Sequence, residues 1–204
     1  MNSYVGTLMA MAAFALATSA SPGPVNIISA MTGARFGVLR SFRYVLGATV
    51  AFVAILLLMG AGLGTVIVEN EAVAKGLAVA GAAYILYLAW KVARADHVAL
   101  DDGGRATLPP GFLNGAVAQA SNPKAWIVSL SAVSVYVAGA PDYAATLAVF
   151  GAVFFVVCLG SLWGWAAVGR WLSALSGSVA VFNRVMAALL ALSVLWFMAT
   201  FVFG

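Results

Sequence analysis

Residues 4–33 read YVGTLMAMAAFALATSASPGPVNIISAMTG. The stretch carries no charged side chain and is longer than the roughly 20 helical residues that cross a bilayer core. Yet Pro22, Gly23 and Pro24 stand inside it, with Asn26 just beyond. Proline removes a backbone donor and clashes with the carbonyl one turn back. It also pushes the residue before it out of helical geometry. The pattern predicts a membrane helix that unwinds in its middle. Open backbone at membrane depth is tolerated only where it is buried in protein or lines a watery cavity. The bland alternative is an ordinary proline kink.

The rest of the chain agrees with a lipid environment. Of 204 residues, 64% are hydrophobic and 8% charged, against about 25% charged in ordinary soluble domains. So few charges do not cover the surface of a soluble fold this size. The formal net charge is +4, but the basic residues are scattered, and nucleic-acid binding needs a clustered patch. A single cysteine, Cys158, lies in an apolar run. It excludes an intramolecular disulfide and reads as a small apolar residue. Ala17-Thr18-Ser19-Ala20 resembles a signal-peptidase site, but no positive segment precedes it. Apolar sequence resumes after Pro24, so the first segment is expected to stay as a span.

Six apolar segments are expected to span, at about residues 4–33, 41–68, 73–92, 111–137, 144–168 and 183–203. A five-span arrangement, with one segment only dipping in, is the alternative. Residues 94–110 form a polar loop, so residues 1–204 make one transmembrane domain. Alternating loops place Arg35, Arg40, Arg43, Lys91, Arg94, Arg105, Arg170 and Arg184 on one side and Lys75 on the other. By the positive-inside rule the first side is cytoplasmic and both termini lie outside. Three spans per half is an odd number, so a duplicated half must enter upside down. Residues 1–93 and 111–204 are therefore read as two inverted three-helix repeats, a recurring transporter architecture. The fold class is an all-α integral membrane protein, a six-helix bundle with broken first and fourth helices.

The second break is Ser121-Asn122-Pro123-Lys124-Ala125. Breaks at matching places of two halves point to a midplane substrate site. Lys124 is the one charge expected deep inside a span, at about 2.5–3.5 kcal/mol on insertion scales. Its partner is expected to be a solute carboxylate, a helix C-terminal carbonyl cluster or water. Snorkelling to a nearer interface is the alternative. Asn26 and Asn122 either bind solute or cap the half-helices. Asn114 and Gln119 are weaker candidates, and His97 sits in the polar loop. The tryptophans read as lipid-facing or packing residues, with Trp90 and Trp171 suited to an interface belt. Gly33 and Gly37, Gly60 and Gly64, Gly111 and Gly115, and Gly160 and Gly164 stand four apart, which lets helices approach closely. No nucleophile–base pair or metal motif is found in the spans, so no catalytic residue, metal or cofactor is expected.

Pro22-Gly23-Pro24 with Asn26, Asn122-Pro123-Lys124, and Gly81-Ala82-Ala83-Tyr84-Ile85-Leu86-Tyr87-Leu88-Ala89-Trp90-Lys91 together resemble the LysE/RhtB amino-acid exporters. The resemblance covers essentially the whole chain. It implies a multi-pass protein of the bacterial inner membrane that exports amino acids or derivatives, driven by protons. Its partners would be a small amino-acid-like solute, protons and the bilayer, with a homo-oligomer left open. Pro22, Gly23, Pro24, Asn26, Asn122, Pro123 and Lys124 are the substrate-binding or translocation candidates. Exporters of basic amino acids in the family tend to carry an acidic residue in the second span. Here that segment has none before Glu69, with Thr49 in the equivalent region. The expected solute is therefore neutral or zwitterionic, and Lys124 is the remaining candidate proton carrier. A carrier of metal or other inorganic ions is the alternative, against which the spans offer one cysteine and no histidine.

Overall fold

A computed structural model describes residues 2–63, 71–94, 108–175 and 178–202. His97, Glu69, Arg105, Gly64 and most of the expected polar loop lie outside these residues. Every regular element among them is helical: α1 (Asn2–Ala20), α2 (Pro24–Phe36), α3 (Val38–Leu58), α4 (Glu71–Arg94), α5 (Phe112–Ala120), α6 (Pro123–Ala132), α7 (Tyr143–Leu175) and α8 (Val179–Val202). Past α3 the chain turns at Met59–Leu63, where Gly62 has a non-helical φ of 97°, and wider helical turns extend α6 over Val133–Val137.

Both expected breaks are present. α1 and α2 together are apolar enough to cross a membrane but meet at a bend of 63°. Pro24 opens α2 and Pro123 opens α6, where a missing N–H costs nothing and the fixed φ already suits a helix. Two unbroken helices, Val38–Gly62 and Tyr143–Leu175, are long and apolar enough to cross a membrane. Shorter apolar helices cover Val79–Lys91, Pro123–Val137 and Val179–Leu192.

Several boundaries differ from expectation, for one reason. The charged connection between the first two segments is not a loop. α2 runs on to Phe36 and α3 starts at Val38, with only Gly37 between them. Gly37 has φ 87°, a conformation that side chains disfavour. α7 likewise runs past Arg170 to Leu175, and α8 starts before Asn183. Long basic side chains keep their charge in a polar medium from within a helix, so a charge does not mark a helix end. Asp142 does mark one: its carboxylate accepts from the Ala145 N–H at 3.0 Å, at the start of α7.

The helices meet backbone to backbone at two crossings. Where α2 crosses α7, a Cβ on Gly33 would overlap the Ala166 carbonyl, and one on Gly169 would overlap the Ala30 carbonyl. Where α3 crosses α5, Gly47 faces the Phe112 carbonyl and Gly115 the Tyr44 carbonyl equally closely. Both crossings join one half of the chain to the other. Small residues give this contact in lipid, where no hydrophobic force drives helices together. Four-residue spacing found only some of these positions. Gly160 and Gly164 touch nothing within reach of a Cβ, and neither does Gly37, because spacing alone does not say which face meets a neighbour. The core beside the crossings is aromatic, with Phe154 packed on Phe52 and Phe150 at ring distances of 4.8 and 4.9 Å.

Gly33→Leu should therefore force α2 and α7 apart. It should cost at least the roughly 1–3 kcal/mol of ordinary overpacking, read as lost stability in a detergent unfolding titration. Gly160→Leu, which meets open space, should leave the titration unchanged.

Candidate functional site

An α-helix leaves its last four carbonyls without intrahelical partners, and α1 ends at the break after Ala20. Three side chains from three other helices meet the carbonyls of Ser19, Ala20 and, just past the helix, Ser21. Asn26 of α2 donates its amide to the Ser19 carbonyl at 2.7 Å. Trp165 of α7 donates its indole N–H to the Ala20 carbonyl at 3.1 Å. Lys124 of α6 donates to both the Ser21 carbonyl and the Ser21 hydroxyl, each at 2.8 Å. Ser21 in turn donates its hydroxyl to the Thr18 carbonyl at 2.9 Å. The ammonium thus sits at the negative end of the α1 dipole, where a cation is favoured. Of the partners expected for Lys124, the helix C-terminal carbonyl is the one found.

The second break is closed the same way. Asn122 accepts from the Lys124 backbone N–H at 3.2 Å and caps α6. Its amide nitrogen donates to Gln119 at 3.2 Å. The Trp126 indole donates to the Ala120 carbonyl at 2.7 Å. Gly81 of α4 lies against the Ser121 carbonyl so closely that no Cβ fits. Ala20 and Ala120, each followed by serine at a break, both end on an indole.

Between the two breaks lies a cavity. The break residues Asn26, Gln119, Asn122 and Lys124 line it, joined by Thr18 and Ser19 from the end of α1. Phe52 of α3, Ala125 and Val128 of α6, and Cys158 and Leu162 of α7 complete it. No carboxylate is among these residues. The cavity measures about 20 Å³, enough for one water molecule and too little for an amino acid.

The candidates of the sequence divide into two groups. Asn26, Asn122 and Lys124 converge on the cavity, and both asparagines also bond the ends of half-helices. Pro22, Pro24 and Pro123 shape the breaks without lining the space. Gly23 lies under the lysine, whose Nζ would be 3.4 Å from a Cβ there. Asn114 stands elsewhere, bonding the Gly111 N–H at 2.9 Å and capping α5. Gln119 lines the cavity. Trp126, Trp163 and Trp165 are not simple packing residues, since each indole bonds a carbonyl, Trp163 that of Val38 at 3.1 Å. Sequence reasoning passed over Thr18 and Ser19, although they directly precede the break. Cys158 is buried as expected but borders the cavity, and the Thr49 hydroxyl lies 3.9 Å from its sulfur. Nothing local marks Phe52, Leu162 or Trp165.

Comparison with known proteins places the chain in a family. A family profile described as LysE type translocator matches residues 16–204. A cysteine/O-acetylserine efflux protein of Salmonella choleraesuis (strain SC-B67) is 30% identical over 165 residues, covering 80% of this chain and 82% of that protein. The protein of the same description from Salmonella typhimurium (strain LT2) matches with the same identity and coverage. One from Escherichia coli O1:K1 is 29% identical over the same coverage. No solved structure matches significantly.

The indole cap is testable without a transport assay. Trp165→Phe keeps the ring and removes the donor to the Ala20 carbonyl, a hydrogen bond worth about 0.5–1.5 kcal/mol. A detergent unfolding titration should read that loss. Trp171→Phe, at a side chain 62% exposed, should leave the midpoint where it is.

Proposed function

We propose that this chain, which belongs to the LysE type translocator family, exports small neutral or zwitterionic amino acids or their derivatives across the bacterial inner membrane. The observation that carries the reading is the half-buried Lys124 ammonium, held by Ser21 at the opposite break beside a cavity with no carboxylate among its described lining residues. A solute α-carboxylate is the natural replacement for Ser21. A cationic side chain would find no counter-charge there. The solutes in the relatives' names, cysteine and O-acetylserine, are small and carry no positively charged side chain, which fits. The metal- or ion-carrier alternative finds no support in the family match.

In this reading the chain spans six times as two inverted repeats, residues 1–93 and 111–204, joined by a cytoplasmic loop at 94–110, with both termini outside. Contacts between helices at corresponding places support it. α3 packs on α7, α4 on α8, and α1 on α7 as α5 does on α3. Pro22, Gly23, Pro24, Asn26, Asn122, Pro123 and Lys124 form the central site and its hinges. Export proceeds by alternating access coupled to protons. Opening toward the cytoplasm parts Lys124 from Ser21, a solute carboxylate takes the ammonium, and the repeats close and reopen outward. Gly23 and the prolines allow that movement because Pro22 and Pro24 have no N–H, so fewer helical hydrogen bonds hold the chain at the break.

Cells loaded with mixed dipeptides provide the test, comparing vector, wild type and Lys124→Ala at matched membrane abundance. Wild type should raise efflux of one or a few small neutral amino acids. The lysine variant should lose about tenfold or more of that rate, the worth of a hydrogen bond to a charged group. Wild-type efflux equal to vector across all amino acids would overturn the export reading. Full export by Lys124→Ala would remove the lysine from the site.

A further inference from the structure

The cavity has walls of two chemical kinds. The ends of the broken helices supply its polar groups, Lys124, Asn122, Gln119 and Asn26. The unbroken helices α3 and α7 supply Phe52, Cys158 and Leu162, which are 5%, 3% and 2% exposed. These three carry no charge, and the one polar atom among them is the Cys158 sulfur. That sulfur is held from behind by Thr49, which is fully buried and whose hydroxyl lies 3.9 Å away. The Ser19 hydroxyl also lies beside it.

Resting on the export reading, we infer that the Phe52–Cys158–Leu162 wall receives the solute's side chain and sets its permitted length and polarity. An α-amino acid whose carboxylate takes Lys124 must direct its side chain to the rest of the cavity. The break side carries the amides and the end of α1, with Ala125 and Val128 of α6 as its apolar members. The wall of α3 and α7 is the apolar surface away from the breaks. Phe52 and Leu162 close it, so long side chains meet a packed interior. A charged side chain would lose its water there without gaining a partner. The thiol is small, polarizable and a weak donor, so it accepts a methyl, hydroxyl or thiol group about equally. The wall therefore favours short uncharged side chains, of alanine, serine or cysteine size, over leucine, lysine or glutamate. Cys158 and Phe52 touch the solute, and Thr49 is a positioning residue that fixes the cysteine.

The test is a ratio of export rates, serine against leucine, measured in cells at matched membrane abundance. Phe52→Leu and Cys158→Ala enlarge the wall. Each should shift the ratio toward leucine by about tenfold, the low end of what one methylene of space decides. Thr49→Val should shift the ratio of serine to alanine export, while Thr49→Ser should restore it. Cys158 is the sole cysteine of the chain, so its alkylation by a small maleimide in membrane vesicles reports this wall directly. Serine should slow alkylation and lysine should not, and Lys124→Ala should alkylate without protection by serine. Unchanged export ratios in Phe52→Leu and Cys158→Ala, with export itself present, would overturn the inference and leave the exporter standing. They would do so even if alkylation proved undetectable. Absence of export of any amino acid by wild type would instead overturn the functional reading, and this inference with it.

Discussion

Within lipid there is no water to bond a helix end, so a helix that stops inside the membrane must find partners for its carbonyls in other side chains. That constraint organises this protein. α1 stops at Ala20, and its carbonyls are met by Asn26, Trp165 and Lys124, drawn from α2, α7 and α6. α5 stops at Ala120, and Trp126 meets it. Each donor must be held in place by its own helix. The break thus dictates where four helices pass, and the cavity is the space between the capped ends.

The glycine crossings supply the rigidity this arrangement needs. Gly33 with Gly169 and Gly47 with Gly115 bring backbones together with no side chain between them. Close contact of this kind relies on shape and dispersion, which lipid does not weaken. The crossings lie outside the breaks. Rigid crossings and unwound, side-chain-capped breaks are the two kinds of joint in the molecule. Lys124 belongs to the second kind, since its ammonium joins the two breaks through Ser21.

Much of the fold was legible in the chain. The apolar segments and the two proline breaks were read where the helices stand. Helix ends were read less well, because Arg35, Arg40 and Arg170 ride on helices rather than in loops. The site was half legible. Asn26, Asn122 and Lys124 were named and converge on one cavity. Cys158 and Phe52 sit in ordinary apolar runs and carry no local mark of their place. The tryptophans read mostly as lipid-facing or packing residues, although an indole N–H inside an apolar medium needs an acceptor. A search for donors to serve the broken ends would have raised Trp126 and Trp165.

By itself the sequence determined that the protein lies in a membrane and where its helices break. Those properties are local: lipid solvation follows the side chains of one segment, and proline acts through covalent geometry on its neighbours. Tertiary structure decided which donor meets which carbonyl. Lys124 and Ser21 stand 103 positions apart, and Trp165 and Ala20 stand 145 apart. No periodicity spans such distances. Their meeting depends on where glycine lets one backbone lie against another, and that is settled only when the helices pack.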